Sequence, residues 1–450
     1  MSERPTHPFR GVRRAAVGLL VGLIAAVASL IVPGGLASQA ATGADLTCVL
    51  ALEKSDPGTV NVAFPDESAT YWGVEIPAIP GTRVRISGQY PHARYMSFNA
   101  YDPALRPFAA LADVDIRPDR GSSNPFAPRA HRKVAERRYT VFVEHTASPS
   151  KPAPNTIYTD AGRDKATNAV GYGIIYRIYV PDEKTGEMGG VALPTVTLEQ
   201  DGSGKPVSAS VCDKASRPGS ELLNEIIADS SGVPALDSVQ PWGLPSVPFR
   251  KFVNLPTAFV DFLTTNPYLG TLRGPLDPVA ALGGSGGFLS NVHNSYVAGI
   301  TNLKYGKVLK VTFKAPETPR TRQGQTRMPK QTQVRYWSFC QEEFFTQRFV
   351  ACKADDQVVR SKNGNVTFVI SRAADRPQDA VRSCGVNWLS WGPNPEGIVL
   401  IRNMLARQDF NQSVQKATYG DEPSTMKSYY PRARYFATPG DFDAASVGRC

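Results

Sequence analysis

Long apolar runs, histidines and metal-ligand spacings are scarce in this chain of 450 residues. One uncharged apolar run, 15–32, stands near the N-terminus, and no second run of that length follows. A bundle of membrane-spanning helices is thereby excluded. Of the five histidines, the four beyond that run (His92, His131, His145 and His293) never form H-E-x-x-H or stand four residues apart. No two cysteines form C-x-x-C, and none has a nearby histidine at zinc-ligand spacing. No metal and no cofactor is therefore expected. Aspartates and glutamates are scattered, with no pair recognisable as the two carboxylates of a glycosidase.

The N-terminus reads as an address. Arg4, Arg10, Arg13 and Arg14 precede the apolar run, and Pro33-Gly34-Gly35 and the small residues Ala37-Ser38-Gln39-Ala40-Ala41 follow it. That order of charge, apolar run and cleavage site is a secretory signal, with the cut expected after Ala40. A retained membrane anchor is the alternative, because 18 apolar residues just reach across a bilayer. All six cysteines (48, 212, 340, 352, 384 and 450) lie beyond the signal, an even number suited to three disulfides in an oxidising compartment. Cys340 and Cys352 flank a turn near 343–347 and should face each other across adjacent strands. Cys48 and Cys212 bracket one region of the chain, and Cys384–Cys450 is the pair that remains. Removing the signal, with four arginines and one glutamate, takes the net charge from +10 to about +7. Such a surface favours anionic wall polymer or glycan over any specific nucleic acid, and membrane contact is expected only through an uncleaved signal.

The chain also carries a pattern twice. Ala93-Arg94-Tyr95-Met96-Ser97-Phe98 returns as Val334-Arg335-Tyr336-Trp337-Ser338-Phe339, and each alternates in the period-2 manner of a strand with one buried face. Thr70–Ile86 matches Ser295–Val311 without a gap. Tyr139–Val143 parallels Val366–Ile370, Asn155–Tyr158 parallels Asn387–Ser390, and Gly173–Tyr176 parallels Gly397–Leu400. Five blocks in one order indicate a tandem duplication. The second copy has gained 16 residues before its Arg-Tyr strand, in a basic loop holding Arg320, Arg322, Arg327 and Lys330.

In the first copy, strands are expected at 60–64, 70–76, 82–87, 93–101, 108–116, 139–144, 171–180 and 195–198, with turns such as Pro80-Gly81 and Asp102-Pro103 between them. Short strands with no long helix between them favour two tandem antiparallel β-sandwich or jelly-roll-like domains, a mainly β chain. The division is 1–40 signal peptide, 45–212 first repeat, 213–287 Pro-rich connector and 288–450 second repeat with a C-terminal tail. In the connector, Ser220 can cap a short helix whose apolar stripe is Leu222, Leu223, Ile226 and Ile227.

The Arg-Tyr-Trp-Ser-Phe strand, the Val-Thr-Phe-Val-Ile strand, Asn-Trp-Leu and a Gly-led apolar strand are similar to an uncharacterised bacterial β domain, family 1214 of the domain-of-unknown-function series. In the first copy Tyr179-Val180-Pro181-Asp182 and Leu193-Pro194-Thr195-Val196 resemble that family's ending. The resemblance covers most of both repeats and departs at Asn155-Thr156-Ile157 and after Met404. It implies a jelly-roll-like fold and brings no reaction.

Two surfaces invite a ligand. Arg94, Tyr95, Arg335 and Tyr336 recur in both copies, and the tail interleaves Arg432, Arg434 and Tyr435 with other aromatics. A loop with Arg129, His131, Arg132, Lys133, Arg137 and Arg138 adds charge. Cations beside aromatic rings grip polyanions and stack on sugars. Gly283-Gly284-Ser285-Gly286-Gly287 fits G-x-S-x-G, yet a nucleophile elbow needs a strand before the serine and a helix after it. Ser285 with His293 as base is thus a weak catalytic candidate. The reading is a secreted cell-envelope protein that binds an anionic or glycan ligand, with a secreted hydrolase of envelope glycan or ester as the alternative.

Overall fold

The computed structural model describes residues 48–58, 61, 63–77, 79–102, 107–159, 171–208, 243–252, 289–330, 332–344 and 346–446, all within one compact unit. The signal, the connector helix and Ser285 lie outside the described residues, as do Cys212 and Cys450.

Mainly β structure is what these residues form. The first repeat runs through β1 (Val49–Leu50), β2 (Glu53–Ser55), β3 (Ala69–Pro77), β4 (Thr82–Gln89), β5 (Ala93–Tyr101), β6 (Pro107–Ala112), β7 (Arg138–Glu144), β8 (Thr156–Tyr158), β9 (Gly171–Pro181) and β10 (Thr195–Gln200). They make two sheets, ordered β1-β10-β4-β7-β8 and β2-β3-β9-β5-β6. Between the sheets, Trp72, Val74, Ile76, Met96, Phe98 and Tyr176 from one meet Val84, Ile86, Val141, Val143 and Leu198 from the other. Alternation at these positions places every second side chain in that core.

The second repeat has the same plan. Its strands are β11 (Arg250–Phe252), β12 (Asn294–Asn302), β13 (Val308–Lys314), β14 (Tyr336–Glu342), β15 (Phe349–Ala354), β16 (Asn365–Ser371), β17 (Val386–Ser390), β18 (Glu396–Met404) and β19 (Arg432–Phe436), with short helices α1 (Glu422–Met426) and α2 (Pro439–Ala444) in the tail. The sheets are β11-β12-β18-β14-β15 and β17-β16-β13-β19. Trp337, Phe339, Phe313 and Phe368 stack at the centre of the core between them.

Several expectations need correction. The strand expected at 60–64 is absent among the described residues there, where Ala63 and Phe64 have positive φ, incompatible with an extended run. The strand expected at 108–116 ends at Ala112. Pairing is mostly antiparallel, but β7 with β8 and β16 with β17 run parallel. The strand pairs also shift one block of the repeat: Tyr71 faces Arg177 as Tyr296 faces Arg402, so Gly173 corresponds to Ile398 and not to Gly397. A one-residue slip moves every side chain to the other face. Finally, β5 and β14 are buried on both faces, not one.

The Asn of the fourth shared block explains its own recurrence. Asn155 Nδ2 donates to Thr140 O and to Arg117 O, and its Oδ1 accepts from Arg117 N. Asn387 does the same with Thr367 O, Val359 O and Val359 N. In each repeat one amide ties a returning loop to the strand beside it.

The disulfide expected across a hairpin is present: Cys340 and Cys352 are Cα partners on β14 and β15 and are bonded. Cys48 and Cys384 are also disulfide-bonded; their expected partners, Cys212 and Cys450, are outside the described residues.

Candidate functional site

The sheets that hold β5 and β14 meet at a seam, and the recurring Arg-Tyr pair is consumed there. Arg94 Nη1 donates to Asp355 Oδ2 at 2.6 Å, and Arg335 Nη1 donates to Asp113 Oδ1 at 3.0 Å. Each arginine therefore reaches the carboxylate after the other repeat's hairpin. The equivalence is supported by the backbone, because Asp113 accepts from Met96 N as Asp355 accepts from Trp337 N. The tyrosines cross over in the same way. Tyr95 Oη lies 2.8 Å from His293 Nδ1 and accepts from Asn291 Nδ2 at 3.1 Å. Tyr336 Oη donates to Asp66 Oδ1 at 2.8 Å, where Ser338 Oγ donates to Oδ2 at 2.6 Å. The result is a pseudo-two-fold contact in which the same patch of each repeat packs on its counterpart.

Arg94, Tyr95 and Tyr336 are fully buried and Arg335 nearly so. These four do not form a surface for a ligand, contrary to the expectation from recurrence. Burial pushes the Asp113 carboxyl up to about 6, with Arg335 opposing, and raises Asp355 despite Arg94. His293 is pushed down to about 4, chiefly by burial, so it stays neutral and hydrogen-bonded to Tyr95.

The 16 extra residues of the second repeat clasp the first. Arg94 Nε donates to Thr321 Oγ1, Arg322 Nε donates to Pro181 O, Arg129 N donates to Met328 O, and Met328 N donates to Ala130 O. Two cations of the 129–138 loop are buried in that strap and not displayed: Arg132 pairs with Asp182 and donates to Gln325 O, and Arg137 donates to Tyr90 O.

The three tail residues expected to bind a ligand face different ways. On β19, Arg432 and Arg434 are exposed, and among the described residues neither has an ion pair. Tyr435 points the other way, packing on the second core with its hydroxyl accepting from Asn302 N at 2.9 Å. Arg434 is the Cα partner of Lys310 on β13, and Arg432 that of Thr312. Across the sheet the same row continues through Val369 to Trp388, whose ring carries the Arg376 guanidinium at 4.6 Å. The basic part of this face is confined to β13 and β19, because Val369 is fully buried in a cluster with Ala380, Phe436 and Phe442, against which Trp388 packs.

A second cationic position was missed by sequence reasoning. Arg177 on β9 is 2 % exposed. It points away from the core onto the face shared by Tyr71, Ser97 and Tyr101, over whose rings its guanidinium lies 5.5 Å (Tyr71) and 5.4 Å (Tyr101) away. Arg402 is its counterpart in the second repeat. Only the corrected register brings the two arginines into correspondence.

No protein-family model and no curated protein matches this chain. Among solved structures it is similar to an uncharacterised protein of Burkholderia cenocepacia, at 12% identity and a TM-score of 0.45, covering 96% of this chain and 90% of that one. It is also similar to the VPA0106 protein of Vibrio parahaemolyticus, at 12% identity and a TM-score of 0.40, covering 84% and 91%. Among the described residues, no helix is long and apolar enough to cross a membrane.

Proposed function

We propose that this chain is an exported cell-envelope protein that binds an anionic polymer through the outer face of β13 and β19. The observation that carries the reading is the exposed pair Arg432 and Arg434 on one face of β19, neither with an ion pair among the described residues. A polyanion laid along that face meets both cations, and Trp388 beside Arg376 offers a ring face for a sugar. The N-terminal signal and the cysteine pattern support export. The resemblance of both repeats to an uncharacterised bacterial β domain adds a scaffold and no reaction. A hydrolase is less well supported, because His293 is held by Tyr95.

Cosedimentation of the mature chain with purified cell wall tests the reading. Binding should be strong at low salt and weaken steeply as the Debye length falls from about 30 Å at 0.01 M to about 8 Å at 0.15 M. The double variant Arg432→Gln/Arg434→Gln should lose most of the low-salt binding with its thermal midpoint unchanged. Equal sedimentation of variant and wild type would remove the proposal.

A further inference from the structure

The two repeats treat their equivalent arginines differently, and the difference defines a site. In the second repeat, Arg402 Nη2 donates to Glu342 Oε1 at 2.7 Å, and Asp66 Oδ2 lies 3.8 Å from Nη1. In the first repeat the strand pairs put Tyr101 where Glu342 stands, since Tyr101 faces Gly173 as Glu342 faces Ile398. Asn291 takes the place of Asp66, as its contact with Tyr95 mirrors that of Asp66 with Tyr336. No carboxylate therefore meets Arg177 among the described residues. Nη2 donates to Leu289 O at 2.6 Å, and neither Nε nor Nη1 has a hydrogen-bond partner there. A buried guanidinium with two idle donors is costly, because the lost hydration is not replaced.

The same face is also hollowed. Gly73 and Gly173 lie on it, where the second repeat has Ala298 and Ile398. A Cβ at either glycine would meet no atom of the described residues within 4 Å. Gly73, Gly173, Ile175 and Tyr71 are half-buried, so the hollow opens to one side while Arg177 closes the other. Glu75, the Cα partner of Gly173, shares this face at the half-buried rim.

We infer that Arg177 and the glycine floor beside it form a binding site for a small organic carboxylate. The carboxylate takes the idle guanidinium donors, as Glu342 does for Arg402, in a charge-assisted contact. An apolar body lies over Gly73, Gly173 and Ile175, against the rings of Tyr71 and Tyr101. The site is separate from the basic strip on β13 and β19 and does not depend on it.

Saturation-transfer NMR on the mature chain tests this, with benzoate, phenylacetate and hexanoate each compared with its neutral amide. At least one acid should bind saturably and its amide at least about tenfold more weakly, a difference of about 1.4 kcal/mol. Gly173→Val keeps Arg177 and adds bulk into open space on a strand that tolerates β-branching, so it should fold as wild type and lose acid binding by about tenfold or more. Tyr101→Glu supplies a carboxylate as in the second repeat, and should abolish acid binding. Absence of binding by all three acids, equal binding of acid and amide, or unchanged binding by a folded Gly173→Val protein would each overturn the proposal.

Discussion

Replacing Arg94 by methionine should be among the most damaging single changes, and acid should relieve it. Arg94 is fully buried, and Asp355 has its side chain almost wholly inside as well. With the cation gone, the Asp355 carboxylate keeps, among the hydrogen bonds described, only the Trp337 N–H at 3.3 Å. Breaking a buried pair from one side costs about 3–5 kcal/mol, against a total stability of about 5–15 kcal/mol for a domain. The sign with pH follows from Asp355, whose carboxyl is already raised by burial in the wild type. Without Arg94 it rises further. An aspartate raised in the fold loses its proton first in the unfolded chain, so stability falls as pH climbs from the ordinary aspartate range through the folded value. The penalty of Arg94→Met should therefore be full at about pH 7 and much smaller near pH 4.5, where the folded carboxyl is protonated and the pH lies little above the ordinary aspartate pKa of about 3.9. Urea unfolding at the two pH values measures it. Arg94→Met/Asp355→Leu removes both charges, and an apolar replacement of a buried pair is often neutral. A single-variant penalty below about 1 kcal/mol, no pH dependence, or a double variant as unstable as the single one would refute the argument.

Asn387→Ala should cost about 2–3 kcal/mol, because it orphans three part-buried backbone groups, and the half-exposed Asn155→Ala should cost less; thermal melts of the two variants rank them. Cys340→Ala/Cys352→Ala opens a bridge across 12 residues and should lower stability by about 3 kcal/mol, measured by denaturant titration. Asp113 (up to about 6) and His293 (down to about 4) should act in opposite senses between about pH 4 and 6. Asp113 takes stability away as pH rises and His293 as pH falls, each by about 3 kcal/mol. Relative to wild type, Asp113→Asn should thus gain stability as pH rises through that window, and His293→Phe as pH falls; differences that do not change with pH would refute it.

Much of the architecture was legible because alternation of bulky and polar side chains survives duplication. The Arg-Tyr strands and the hairpin cysteines occupy the places that pattern implies. What alternation could not disclose is what lies on the second face of a strand. Tyr95, Ser97 and Tyr101 look like the solvent side of β5, yet the other repeat and the 289–293 loop cover them. Short parallel strands such as β8 escaped because three residues carry no period. The Gly-led block was aligned on its glycine, whereas the hydrogen-bond ladder aligns Arg177 with Arg402.

That last displacement bears on how a duplicated chain should be read for function. Residues shared by both repeats are the ones each sandwich needs in order to fold and to pack on its twin, and Arg94 with Arg335 and Asn155 with Asn387 fall in that class. Recurrence therefore points toward structure. A position that is charged in both repeats but neutralised in only one is different, since the common fold already shows what its balanced form looks like. Arg402 has Glu342 and Asp66 around it; Arg177 has three tyrosines, two glycines in place of side chains and, among the described residues, two donors without hydrogen-bond partners. The fold does not require that imbalance, because the second repeat is built without it. An external anion restores to the first repeat the charge balance that the second obtains from its own chain.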